Sequence, residues 1–197
     1  MSFDAFCALI DDTTRHTERE CQQYVGDIAE KLFEQTPESF VTIRLEQRSF
    51  YGSSDFIVAA NIRTATGLQR HVRFWELKAP QNLLMKWDGN NNRYGPSDDL
   101  VKAENQLIQY VYLAQRDGAF HSRYSTYGDF VRPGGVIIGR NEKLINSSNP
   151  QEIEAAAESL KIRGIMMYEA MNIKLYTWDH VKYLLKPPEP ITGLAGT

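Results

Sequence analysis

Three residues have the types and spacing for a single piece of chemistry: Asp55 in "SDFIV", and Glu76 and Lys78 in "FWELKAP". The two acids stand 21 positions apart, and the lysine follows the second at a spacing of two. Carboxylates set side by side on neighbouring strands repel one another unless something compensates. A hard divalent cation would do so, because Mg²⁺ takes oxygen ligands and binds through one or two carboxylates plus substrate phosphate. With Asp55 and Glu76 as its ligands, such an ion polarises a phosphodiester oxygen and acidifies a bound water. Lys78, a flexible point charge with three donors, would orient that water or neutralise the pentavalent phosphate.

This chemistry requires the acids to share one face of one sheet. The runs "FVTIRLEQRSF", "SDFIVAANIR" and "HVRFWELKA" alternate with period two and are rich in β-branched and aromatic residues, which predicts an antiparallel meander turning at "TATG". If Thr64 faces Gly67, the opposed pairs run Asn61 with Arg70, Ala59 with Val72, Ile57 with Phe74, and Asp55 with Glu76. A slip of one residue would move the two acids to opposite faces. Upstream, the spacing predicts a helix over about 17–35 with Cys21, Val25, Ile28 and Leu32 as its core stripe, ended by "TPES". Downstream, "QNLLMKWDGNNNRYGPSDD" reads as a mobile loop. "PSDDLVKAENQLIQYVYLAQRD" reads as a second long helix with a stripe at Leu100, Leu107, Val111 and Ala114. After the irregular "GAFHSRYSTYGDFVRPGG" come a buried strand "GVIIGR", a helix over about 150–161, a strand "NIKLYTW" and a helix "DHVKYLL". The expectation is an α/β (α+β) fold, a mixed central sheet flanked by helices in the order αβββαβ followed by αβα. Residues 1–197 form one domain in this reading, with its core over about 17–186, a short N-terminal extension 1–16 and a loose tail 187–197.

The composition bounds this reading. A chain of 197 residues with 42% hydrophobic and 11% aromatic content can fill one sizeable core. No run approaches the ~18 apolar residues of a membrane span, and the N-terminus lacks the pattern of a signal peptide, so a cytoplasmic protein with no membrane partner is expected. The two cysteines have neither metal-ligand spacing nor the density of a disulfide framework. The four histidines, at 16, 71, 121 and 180, form no ligand cluster. A net charge of −3 excludes a uniformly basic binder of polyanions, so any nucleic acid must find a local groove. Lys86 and Arg93 lie among the aromatics Trp87 and Tyr94, and Arg123 and Arg132 among Tyr124 and Tyr127. Cations interleaved with aromatics grip phosphates and stack bases. Lys86, Arg93, Arg123 and Tyr124 are the candidate nucleic-acid contacts.

These residues carry a family resemblance. Asp55, then Glu76 and Lys78 as "ELK", are similar to the D…(D/E)xK signature of the PD-(D/E)xK nuclease superfamily, whose restriction-endonuclease-like core has the element order expected here. Within it, "RECQQY", "SDFIV", "ELKAP", "AENQLIQY", "GGVIIGR" and "LYTWDHVKYLL" most resemble the nuclease domain of Shedu anti-phage defence proteins, over about residues 19–185. The resemblance implies a Mg²⁺-dependent DNA endonuclease, with Mn²⁺ as a substitute. Asp55 and Glu76 stand at its metal-ligand positions and Lys78 at its catalytic lysine. Gln106 stands at the glutamine beside the metal, and Glu20 at a first-helix glutamate for which Glu18, Glu30 and Glu34 are rivals. Double-stranded DNA, further copies of the chain and a phage-derived trigger are the partners it implies. The alternatives are a repair or junction-resolving nuclease on the same fold, and a silent nuclease-like module that binds nucleic acid or protein without cutting.

Overall fold

A computed structural model describes residues 2–33, 41–49, 52–65 and 67–186, with the backbone alone at 41–49, 52–55 and 64. The segment 34–40, with Glu34 and the expected helix stop at "TPES", and the tail 187–197 lie outside the described residues.

Period-two alternation builds the sheet as expected. Strands β1 (Val41–Ser49), β2 (Gly52–Thr64) and β3 (Gly67–Leu77) form an antiparallel meander. β6 (Val131–Ile137) and β7 (Lys174–Tyr176) add in parallel, giving a mixed five-stranded sheet in the order β1-β2-β3-β6-β7. The β2–β3 register runs from Thr64 opposite Gly67, through Asn61 and Arg70, Ala59 and Val72, and Ile57 and Phe74, to Phe56 opposite Trp75. These are pairs the alternation predicts; the expected pair of Asp55 with Glu76 lies one step beyond them.

Each face of the sheet carries its own core. Ile57, Ala59, Val72 and Phe74 pack against α4 (Asp98–Ala114), whose predicted stripe Leu100, Leu107, Val111 and Ala114 is buried. Phe56, Val58, Ala60, Trp75 and Leu77 pack against the N-terminal helices and α7 (Trp178–Leu185). The result is a layer of sheet between two layers of helix. The side chain of Ser97 caps the first turn of α4, and Asp98 and Asp99 complement its dipole.

Four expectations are corrected. Residues 1–16 are no mere extension: α1 (Phe3–Asp11) plants Phe6 at 0% exposure in the core. The first long helix is broken into α2 (Glu18–Val25), a 3₁₀ turn at Gly26–Ile28 and α3 (Ala29–Leu32). Glycine is a poor helix interior, yet Cys21, Val25, Ile28 and Leu32 are all buried, so tertiary packing keeps the stripe while the helix tightens. The "QNLLMKWDGNNNRYGPSDD" segment contains a hairpin of β4 (Met85–Asp88) and β5 (Arg93–Pro96), turned at Asp88, whose side chain accepts from the backbone N–H of Asn90 at 3.1 Å. The second irregular stretch contains α5 (Gly118–Tyr124), capped by Asp117. No helix among the described residues is long and apolar enough to cross a membrane.

Between β6 and β7 runs α6 (Pro150–Arg163), continued by a π-helical stretch over Gly164–Glu169. The β3–β6 ladder shifts register between Phe74 and Trp75, where Phe74 faces Pro133 and Trp75 faces Gly135. Pro133 cannot donate to the ladder, and a β-carbon on Gly134 would lie 2.2 Å from Trp75 Nε1. The bulge thus accommodates the indole, one residue before Glu76.

Candidate active site

The "ELKAP" strand end is held from three sides. The Lys78 N–H donates to the Ile137 carbonyl at 2.8 Å, and the buried Trp178 indole N–H donates to the Lys78 carbonyl at 2.7 Å. The Ala79 carbonyl accepts from Gly139 N–H at 3.2 Å, and Gly139 adopts φ +60°, which favours glycine. Gln81 then ties the strand end to the α1–α2 junction through Thr17 and the Asp12 carbonyl. β6, α7 and the N-terminal helices therefore all converge on the strand end that carries Lys78.

Glu76 is 1% exposed, and Lys78 Nζ donates to its Oε1 at 2.9 Å. Their side chains share the face of Phe74, under α4, because positions 74, 76 and 78 alternate with the opposite core. The described β2–β3 pairs end at Phe56 and Trp75, one step short of the expected pair of Asp55 with Glu76. The backbone of Asp55 lies in β2, and its side chain lies outside the described residues.

Gln106 is half-buried on α4, one turn before Tyr110, which packs on Phe74 with ring centroids 6.4 Å apart. α4 runs back between the parallel strands β3 and β6, and its C-terminal end lies by the start of β6, where Gln115 Nε2 donates to the Val131 carbonyl at 2.9 Å. Tyr110 packs on Phe74, so Gln106, one turn earlier on α4, lies towards the end of β3 that carries Glu76. Its Oε1 is buried with no hydrogen-bond partner among the described residues. An orphaned amide oxygen and a buried carboxylate are hard oxygen donors, the kind Mg²⁺ takes. Among the described residues no group of three His, Cys, Asp or Glu side chains converges to hold a metal, so a two-carboxylate site depends on Asp55.

The remaining predicted residues are dispersed. Glu20 lies on α2, which packs on the opposite face, and it accepts from Arg15 at 2.7 Å. Lys86 and Arg93 are exposed on the β4–β5 hairpin, with Lys86 paired to Asp98 at 2.6 Å. Arg123 is exposed on α5. Tyr124 is corrected: at 5% exposure it stacks on Phe120 within the core and offers no face to a base. An aromatic one turn beyond a buried Phe120 is drawn inward by the same helical period that buries its neighbour.

Sequence reasoning missed a buried polar network beside α4. Glu104 is 1% exposed, accepts two bonds from Arg163, of which Nε to Oε1 is 2.8 Å, and accepts a third from the Tyr168 hydroxyl. Burial, then the Glu104 charge, hold the Tyr168 hydroxyl well above its ordinary range. The signal was a glutamate four residues after Leu100, inside the apolar stripe. A second cluster joins Arg140 to Asp11 at 2.6 Å and Asp179 at 3.0 Å, linking α1 to α7. Compared with known proteins, the chain matches no family model and no curated protein.

Proposed function

We propose that this chain is a metal-dependent phosphodiesterase that hydrolyses DNA, an endonuclease of the PD-(D/E)xK type acting in phage defence as Shedu proteins do. The observation that carries the reading is the Glu76–Lys78 pair: a buried acid with an ammonium 2.9 Å away, at the end of a strand paired with β2, the strand that carries Asp55. Asp55 and Glu76 would hold Mg²⁺, which when bound supplies Lewis-acid polarisation of the phosphodiester and an acidified water. Lys78, hydrogen-bonded to Glu76, would set its ammonium against the developing phosphate charge. The buried Gln106 oxygen offers an acceptor that orients a water on the same face. The main-chain clamps on Lys78 hold the group in place without reorganisation during the reaction.

The test is cleavage of supercoiled, nicked and linear DNA with Mg²⁺ or Mn²⁺, by the wild type and by Lys78→Ala. Loss of about 10²-fold or more in the variant is expected for removal of one charge-stabilising donor. Equal activity in both proteins would remove the assignment. The burial of Glu76 favours a second reading, a silent scaffold in which the pair is structural. Calorimetric Mn²⁺ titration separates the two: binding that Asp55→Asn abolishes supports the enzyme, and absence of binding by the wild type supports the scaffold.

A further inference from the structure

β3 and β6 each carry an arginine at one paired position, Arg73 opposite Arg132. Paired residues on adjacent strands project to one face. Here it is the face away from Glu76, where the Arg73 guanidinium lies 5.2 Å from the centroid of the Phe33 ring. Strands in a sheet are roughly 4.8 Å apart, so the two cations repel unless an anion sits with them. No ion pair among the described residues includes either arginine. Their hydrogen bonds go to main-chain carbonyls, Arg73 Nη1 to Val72 at 3.4 Å and Arg132 Nε to Asp129 at 3.2 Å. A guanidinium has five N–H donors, so most donors of the pair have no partner among the described residues. Arg140 and Arg163 behave differently, since each meets a carboxylate.

The surroundings register the uncompensated charge. His71, two residues before Arg73 on the same face, packs on Phe130 with ring centroids 4.7 Å apart. Burial, then the charges of Arg73 and Arg132, hold its imidazole below the ordinary range. Burial, then Arg132, likewise pull Arg73 down.

We infer that Arg73 and Arg132 form a binding site for a phosphate group, on the face of the sheet opposite Glu76 and independent of the nuclease reading. Two planar guanidinium forks match the oxygens of a phosphate bidentately, and a phosphate dianion neutralises both cations where a carboxylate would neutralise one. The group is either free phosphate or the backbone phosphate of a nucleic acid.

The test is thermal unfolding of the full chain in chloride buffer, with inorganic phosphate or acetate added at constant ionic strength. Phosphate should raise the Tm of the wild type, as any ligand of the folded state does, and acetate should leave it unchanged. Arg132→Gln should unfold at a higher temperature than the wild type without phosphate, because the repulsion is gone, and should bind phosphate about tenfold or more weakly. Arg73→Gln should lose the phosphate response too, while Lys78→Ala should keep it. Phosphate should also shift the ring resonances of His71. The proposal is overturned if Arg132→Gln lowers the Tm in phosphate-free buffer, or if both arginine variants respond to phosphate as the wild type does. Duplex DNA identifies the source: a salt slope reduced by about one in Arg132→Gln marks a backbone phosphate. Phosphate binding with an unchanged DNA slope marks the free ion.

Discussion

Replacing Lys78 by methionine keeps an unbranched side chain one atom shorter and removes the charge. The Glu76 side chain is 2% exposed and that of Lys78 15%, so the variant leaves a carboxylate in the interior without its ammonium. Breaking a buried pair from one side costs about 3–5 kcal/mol. For a chain of this size, each kcal/mol lowers Tm by about 2–4 °C, so the lower bound alone predicts a fall of roughly 6–12 °C. Glu76→Gln with Lys78→Met removes both charges and should return to within about 1–2 kcal/mol of the wild type, since uncharged replacements of a buried pair are often near neutral. The coupling between the two sites, the two single losses less that of the double variant, is then at least about 1 kcal/mol before the loss of Glu76→Gln alone is added. Urea unfolding followed by circular dichroism measures it, with an unchanged slope m certifying that only stability moved. A Lys78→Met loss below about 1 kcal/mol, the worth of an exposed pair, would refute the reasoning, as would a double variant equal to the sum of the singles. The double variant also separates fold from chemistry: it should regain stability and still fail to cleave DNA.

Arg163→Met should cost about 3 kcal/mol by stranding Glu104, whereas Tyr168→Phe should cost about 1 kcal/mol because the arginine bonds remain; calorimetric Tm values rank the two. Gly135→Ala sets a β-carbon 2.2 Å from the Lys174 carbonyl, backbone that cannot turn aside, and should cost about 3 kcal/mol or more, read as loss of the near-ultraviolet dichroism of the folded core. Gly95→Ala, with nothing within 4 Å, is the control and should leave that signal intact. Burial pushes the Cys21 thiol up to about 11 from 9.0, with the Thr17 hydroxyl opposing and Glu20 adding to the rise. The neutral thiol is thus the form the fold favours, and its stabilisation is complete below pH 9 and lost as pH climbs through about 11. Maleimide at pH 8 should therefore spare Cys21 until urea unfolds the chain; peptide mass spectrometry showing equal labelling in both states would contradict this.

Local periodicity made much of the architecture legible. The β2–β3 register follows from Thr64 facing Gly67 and from the apolar pairs behind it, because a half-buried strand tolerates no slip of one residue. The stripes of α2–α3 and α4 are buried as their spacing predicts. Sequence pattern could not foresee that α1 buries Phe6, since nine residues of mixed polarity acquire a partner only when α7 folds against them. Nor could it foresee Tyr124, whose polar hydroxyl suits either surface or core until the neighbouring ring of Phe120 is placed.

The sequence by itself determined which residues alternate and which recur at helical spacing, and so put Glu76 and Lys78 on one face. Only the tertiary structure decided that Glu76 is buried, that Lys78 reaches it, and that β6 and α7 clamp the strand end. It also decided that Arg73 meets Arg132 and Glu104 meets Arg163, pairs separated by 59 positions in each case. The physical reason is range: backbone period acts over a few residues, whereas charge compensation depends on which distant segments the packed layers bring together.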